Sequence, residues 1–196
     1  MNEIKFKVDL PYPTVTKCNC KRDAEMLMNA YSGCVGSELS GILQYIYQSY
    51  WLKNCYPEIA DILEEIAIVE MHHHAMLAEA IVNSCGDPVM SGANMSWWKG
   101  DCVCYQKDVI CLLKKDICDE QMAIATYQKL ACQVCNQTIK ELLLRLVLDE
   151  EAHVQILKML CQMVKSSCDP CQQPKQQCGC NNNCSCERQQ GCCEKQ

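Results

Sequence analysis

The sequence has little aromatic content, with one phenylalanine among 196 residues, so a core must be built from Leu, Ile, Val, Met, Ala and Tyr. It also lacks a run of basic residues, and its formal net charge is −6. This charge disfavours nucleic acid and anionic membrane surfaces as partners. No apolar run approaches the roughly 20 residues of a membrane-spanning helix. The charged opening MNEIKFKVDLPYP is unlike a secretory signal, so we expect a cytoplasmic location.

Cysteine, in contrast, is abundant, with 20 residues, eight of them in the last 31 positions. With no secretory signal expected, so many thiols favour metal binding or cross-linking in a late assembly such as a spore coat. Cys34 and Cys161 are predicted to be small core residues. The other cysteines before the tail have no convincing zinc spacing, but could bind soft metals or form intermolecular bonds: Cys18/Cys20, Cys102/Cys104, Cys111/Cys118 and Cys132/Cys135.

Helical periodicity occupies most of the chain, and strand signals are nearly absent. The pattern predicts helices over about 23–52, 57–84 and 106–134, and a fourth from Asn136 to about residue 165. Residues 86–104 are predicted to form a long irregular crossover, with Gly86 ending the second helix. Short turns within each helix pair and a long link between pairs predict an all-α four-helix bundle over 23–165, preceded by an extended segment over 1–22.

Residues 166–196 form a separate tail that contains almost nothing apolar except cysteine. Such a segment cannot bury a core, and we expect it to be disordered unless metal or disulfides order it. Its closely spaced thiols suit Zn²⁺ or Cu(I) and equally suit cross-linking: Cys168, Cys171, Cys178, Cys180, Cys184, Cys186, Cys192 and Cys193.

Two predicted helices carry the same Glu-x-x-His pattern, at Glu70/His73 and at Glu150/His153. Residues three apart share one face of a helix. Each of the other two helices offers one glutamate in an apolar stripe, Glu38 or Glu120. The neighbouring His72 and His74 point about 100° to either side of His73 and are predicted to lie at the surface.

The spacing brings these six side chains to one depth of the bundle. Glu38 precedes Glu70 by 32 residues and Glu120 precedes Glu150 by 30, which gives similar heights in the two hairpins. Four buried carboxylates would repel one another, whereas two divalent cations would neutralise them. Oxygen-rich ligation with two imidazoles suits two iron or two manganese ions.

The same pattern resembles that of the ferritin-like superfamily over residues 20–165. The resemblance is closest to rubrerythrins and manganese catalases, including spore-coat relatives with a similar initial YP segment. It implies that Glu70 bridges two metals, that Glu38 and Glu120 bind terminally, and that His73 and His153 each bind one metal. Glu150 would bridge in the iron arrangement, or lie just outside the ligand set in the manganese one.

The resemblance also suggests residues that support the ligands. Asp149, directly before Glu150, is expected to hydrogen-bond His73. Tyr45 matches a tyrosine that contacts the centre in rubrerythrins and ferritins, and Tyr127 is its repeat partner, although both also suit simple packing. Rubrerythrins carry a further glutamate where this chain has Ala123, and usually a rubredoxin domain, which the tail does not resemble.

The function expected from these residues is decomposition of hydrogen peroxide, as in a manganese catalase or a rubrerythrin-like peroxidase. The peroxidase would need an external electron donor because a rubredoxin module is missing. One alternative is a ferritin-like protein that uses dioxygen to oxidise iron and stores it. Another is a disulfide-cross-linked coat or shell protein that keeps a metal site. In each case a homo-oligomer is expected.

Overall fold

The computed structural model describes residues 4–166. The eight tail cysteines, Cys168 to Cys193, and the metal or cross-linking role predicted for them lie outside the described residues. Five α-helices account for most of the described chain: α1 Lys21–Ser32, α2 Glu38–Leu52, α3 Pro57–Asn83, α4 Val109–Ala131 and α5 Gln137–Ser166. A short 3₁₀ helix, Gly100–Cys102, lies in the irregular crossover between α3 and α4.

The first predicted helix is two helices, so the prediction of a continuous helix over 23–52 is wrong. A Cβ at Gly33 would lie 2.6 Å from the carbonyl oxygen of Asn29, and Gly36 has a positive φ of 64°. Ser37 then caps α2 by accepting a hydrogen bond from the Ser40 amide. Both α1 and α2 pack against α3. The break places Glu38 at the first residue of α2, where the helix dipole favours a negative charge.

The end of α3 also differs from the prediction. Cys85, and not Gly86, takes the left-handed conformation, with φ of 62°. The Gly86 amide donates to the Ile81 carbonyl at 2.9 Å, which closes the helix end in a Schellman arrangement. A Cβ at Gly86 would lie 2.6 Å from the Cβ of Ala24, so this glycine allows α1 to approach closely.

Two apolar clusters form the core, one around Leu27, Leu77 and Leu143 and the other around Leu63, Leu112 and Leu157. On α3, α4 and α5 the predicted metal ligands lie between the residues of these clusters. A polar layer therefore crosses the bundle between two apolar regions. Among residues 4–166, no helix has the length and apolar character needed to cross a membrane.

Gly41 offers a test of the packing in α2. A Cβ at this position would meet no atom within 4 Å, and glycine in a helix costs up to about 1 kcal/mol relative to alanine. We therefore expect Gly41→Ala to raise the free energy of unfolding by about 0.5–1 kcal/mol in urea titrations. Gly33→Ala is the matched control and should lower it, because its Cβ would clash with Asn29. A loss of stability in Gly41→Ala would contradict this packing.

Candidate metal centre

The structure brings all six predicted ligands together in the polar layer. Glu38 begins α2, Glu70 and His73 lie in α3, Glu120 lies in α4, and Glu150 and His153 lie in α5. None of these residues is more than 5% exposed, and both histidines and Glu150 are fully buried. Such a concentration of ionisable groups away from water requires a compensating partner.

The six side chains form two overlapping groups of four. One consists of Glu38, Glu70, His73 and Glu150, and the other of Glu70, Glu120, Glu150 and His153. Within each group the candidate ligand atoms all lie within 4.8 Å of one another. The two imidazole rings are 6.0 Å apart between centroids. Because Glu70 and Glu150 belong to both groups, the arrangement has the form of two adjacent cation sites that share two carboxylates.

Several atoms in the centre lie close together, and each histidine Nδ1 is within hydrogen-bonding distance of the glutamate one turn earlier, at 3.3 Å from Glu70 Oε2 or 3.2 Å from Glu150 Oε2. His153 Nδ1 lies 2.9 Å from Glu70 Oε1, and His73 Nδ1 lies 3.0 Å from Glu150 Oε1. Nevertheless Glu70 Oε1 and Glu150 Oε1 are buried without a hydrogen-bond partner, as is Glu38 Oε2. Buried carboxylate oxygens that converge without a hydrogen-bond partner fit the coordination of cations between them. The residues present therefore fit two oxygen-loving divalent cations.

The electrostatics of the centre point the same way. Burial and the nearby Glu70 carboxylate raise the pKa of both Glu38 and Glu120 well above the usual range. Burial alone would lower the pKa of His153, but Glu70 and Glu150 outweigh it and raise the value to about 9. Burial likewise opposes protonation of His73, whose pKa is nevertheless raised by Glu150 and Asp149. Without cations, the cluster is therefore expected to hold several protons at neutral pH.

This protonation makes metal binding dependent on pH. Glu38, Glu120 and the two imidazoles have raised pKa values, and each must lose its proton before it can bind a cation. We expect metal loading near pH 7 to release protons, and the affinity to rise with pH. Isothermal titration in buffers of different ionisation enthalpy measures the protons released. An affinity that does not change between mildly acidic and neutral pH would contradict this description of the centre.

Asp149 lies directly behind His73, with its Oδ2 atom 3.2 Å from His73 Nε2. The contact leaves Nδ1 of the same ring facing the carboxylates. A carboxylate in this position fixes the orientation of the imidazole and increases its basicity as a ligand. Asp149 is therefore in hydrogen-bonding contact with His73, and its support of a metal-binding His73 stays a prediction.

Asp149 also accepts hydrogen bonds from partners that the sequence analysis missed. The Tyr12 hydroxyl donates at 2.6 Å and the Val8 amide at 2.7 Å. Arg145, one turn earlier in α5, places Nη1 at 2.8 Å from Asp149 and donates from Nη2 to the Val8 carbonyl at 2.6 Å. The N-terminal segment thus closes over the back of His73. The only signals in the sequence are the YP segment and the i,i+4 spacing of Arg145 and Asp149.

The remaining predicted residues occupy different environments. The Tyr45 hydroxyl donates to Glu120 in the centre. Tyr127 is buried in the cluster around Leu77, and within residues 4–166 no hydrogen bond links it to the carboxylates, which supports a packing role. His72 is exposed, as predicted. The surface prediction for His74 is wrong, because its ring is half-buried and stacks on Tyr31 at 4.1 Å.

A cavity of about 250 Å³ leads from the buried carboxylates to exposed residues. Gly36, Gly41 and Ala123 line it and leave it open. Cys34 and Cys102 also line it and form a disulfide, so the prediction that Cys34 is a buried core residue is wrong. The polar groups in its wall include Gln44, Lys115 and Asp119. The cavity can admit a small polar molecule to the centre.

The fold and the centre define a ferritin-like carboxylate protein, which confirms the predicted all-α, ferritin-like class. The chain belongs to the rubrerythrin family, whose family model matches residues 25–161. No curated protein matches it in sequence.

Three solved structures show the fold. The manganese catalase KatB from Anabaena is 24% identical, with a TM-score of 0.73, over 87% of this chain and 84% of that chain. The Desulfovibrio desulfuricans bacterioferritin, described with a diiron site, is 25% identical, with a TM-score of 0.61, over 74% of this chain and 83% of that chain. The Rhodobacter capsulatus bacterioferritin is 21% identical, with a TM-score of 0.64, over 76% and 89%.

Proposed function

We propose that this protein decomposes hydrogen peroxide at a pair of iron or manganese ions held by the carboxylate–histidine centre. The observation that carries the proposal is the membership of Glu70 and Glu150 in both ligand groups. Glu38 and His73 would complete one site, and Glu120 and His153 the other. Four carboxylates would balance the charge of two divalent cations.

The chemistry assigned to each part follows from its position. Bound iron or manganese supplies the two-electron redox capacity that peroxide cleavage needs. The cavity brings peroxide to the carboxylates, and its polar wall suits a small hydrogen-bonding substrate. Tyr45 donates a hydrogen bond to Glu120, so this pair can hold a proton beside the reacting oxygen atoms. Asp149 orients His73 from behind, and the N-terminal segment covers that side.

Both forms of peroxide decomposition are consistent with this centre. One of the matched structures is a manganese catalase, and a catalase cycle needs no electron donor. A peroxidase cycle would take electrons from an external donor. The glutamate typical of rubrerythrins is absent at Ala123, whose side chain lines the cavity.

The test uses full-length protein purified without oxygen and loaded with manganese or iron. We expect two metal ions per chain and rapid consumption of hydrogen peroxide, with evolution of oxygen in the catalase case or with dependence on a reductant in the peroxidase case. Elemental analysis and an oxygen electrode measure these quantities. Metal-loaded protein that neither evolves oxygen nor consumes peroxide with a reductant would overturn the proposal. A hollow assembly holding far more than two irons per chain would instead favour iron storage.

A further inference from the structure

The Cys34–Cys102 disulfide lies where the cavity reaches the surface. Cys34 lies in the break between α1 and α2, and Cys102 is the last residue of the 3₁₀ helix, 68 positions later. Both line the same cavity as Glu38, Glu70 and Glu150. A peroxide molecule that enters this cavity is therefore exposed to the two sulfur atoms and to the carboxylate centre.

The disulfide is also accessible from outside. Cys34 is exposed and Cys102 is partly exposed, and an exposed disulfide exchanges readily with external thiols. A third sulfur, the free thiol of Cys104, lines the same cavity. Lys115 also lines this cavity.

We propose that Cys34 and Cys102 form a redox-active pair that supplies two electrons for the reduction of peroxide in the cavity. The inference rests on the proposed function, and it identifies the class of electron donor as a dithiol. It accounts for a peroxidase route in a chain whose tail does not resemble rubredoxin, since the first electron carrier would be part of the bundle itself.

The reaction balances in two steps. A dithiol reductant attacks the exposed Cys34 sulfur, the S–S bond breaks, and Cys102 leaves as a thiolate that takes up a proton. The reductant then closes its own disulfide and releases Cys34 as a thiol. In the second step the O–O bond of hydrogen peroxide breaks, each cysteine loses one hydrogen, the Cys34–Cys102 bond re-forms, and two water molecules result. The dithiol is oxidised overall and peroxide is reduced.

The alternative is that the disulfide only stabilises the break between α1 and α2 and takes no part in peroxide reduction. To distinguish the two roles, the full chain is reduced, freed of reductant and treated with one equivalent of hydrogen peroxide. Alkylation and peptide mass spectrometry then follow each cysteine. We expect the Cys34–Cys102 bond to return before Cys85, an exposed free cysteine outside the cavity lining, is oxidised. A pair that stays open to alkylation while Cys85 oxidises would overturn the proposal.

A second measurement uses turnover with dithiothreitol as the only reductant. We expect the double variant Cys34→Ser/Cys102→Ser to lose the peroxide consumption that depends on dithiothreitol, down to the rate of the same variant without reductant, while it keeps the metal content of the wild type. Cys85→Ser is the matched control and should keep the full rate. The tail cysteines are the same in every variant, so any peroxide that they consume does not affect the difference in rate between variants.

The two proposals fail in different ways. If the wild type consumes peroxide and the double variant keeps the same dithiothreitol-supported rate, the disulfide inference is wrong and the proposed function stands. If the metal-loaded wild type consumes no peroxide under any condition, the proposed function is wrong. The alkylation experiment still decides the role of the cysteine pair in that case, because it needs no turnover and no variant that must fold.

Discussion

Replacing Glu150 with glutamine is expected to abolish stable binding of both metal ions, and with them the consumption of peroxide. Glu150 is fully buried and belongs to both candidate ligand groups, so its charge would serve both proposed cations. Outer-sphere partners of metal ligands already contribute about 10–100-fold in affinity. Loss of a shared anionic ligand should exceed that range. Metal content after dialysis, measured by mass spectrometry, gives the result directly.

The neighbouring Glu151 provides the matched control. It is the next residue in α5 but is exposed, so Glu151→Gln makes the same chemical change on the outside of the helix. This variant should bind two metal ions per chain like the wild type. Equal metal content in the Glu150→Gln and Glu151→Gln variants would contradict the assignment of Glu150 to the centre.

Asp149→Asn is expected to lower both the free energy of unfolding and the metal affinity by a large amount. The substitution removes the charge that pairs with the buried Arg145 and holds His73 from behind. Loss of one partner of a buried ion pair costs about 3–5 kcal/mol, because the other charge remains uncompensated. We also expect metal affinity to fall about 10–100-fold, since His73 loses the group that orients it. Denaturant unfolding of the metal-free protein separates the first effect from the second.

The pKa of Asp149 predicts how the free energy of unfolding depends on pH. Burial opposes its ionisation, but hydrogen bonds from His73, Tyr12 and Arg145 outweigh burial and lower the pKa of Asp149 below the usual value. The contribution of Asp149 to the free energy of unfolding is therefore complete above its unfolded-state pKa of about 3.9. This contribution is lost as the pH falls towards the pKa of the folded state. In the Asp149→Asn variant the free energy of unfolding should depend less on pH in this acidic range.

Asp61→Asn is the control for the Asp149 variant. Asp61 pairs with Lys53 on the surface, and both side chains are more than half exposed. Exposed pairs of this kind contribute about 0–1 kcal/mol. If both Asp→Asn variants lost the same stability, the network behind His73 would have no special role.

The convergence of the six candidate ligands was predictable because helical geometry is regular. Glu70/His73 and Glu150/His153 each stand three residues apart, which fixes both side chains of a pair on one face. The long apolar stripes around Glu38 and Glu120 then marked the two remaining carboxylates as buried. Burial of four acids at one depth required a neutralising partner.

The features that escaped prediction depend on contacts between distant parts of the chain. The helix break at Gly33–Ser37 interrupts strong helical periodicity on both sides, and it depends on Gly33, where a Cβ would clash with Asn29, and on the positive φ of Gly36. Cys34 meets Cys102 across 68 positions because the break turns one cysteine towards the crossover. Tyr12 and Val8 reach Asp149 across more than 130 positions. Helical periodicity carries no information about such pairings.

Anomalous diffraction from crystals of the metal-loaded full-length protein tests the central claim most directly. Data collected at the manganese and iron absorption edges locate each ion and identify the element. We predict two neighbouring peaks, one bounded by Glu38 and His73 and the other by Glu120 and His153, with Glu70 and Glu150 between them. A loaded crystal that showed no peak in the bundle, or a single ion with the Glu38 or Glu120 carboxylate turned away, would contradict it.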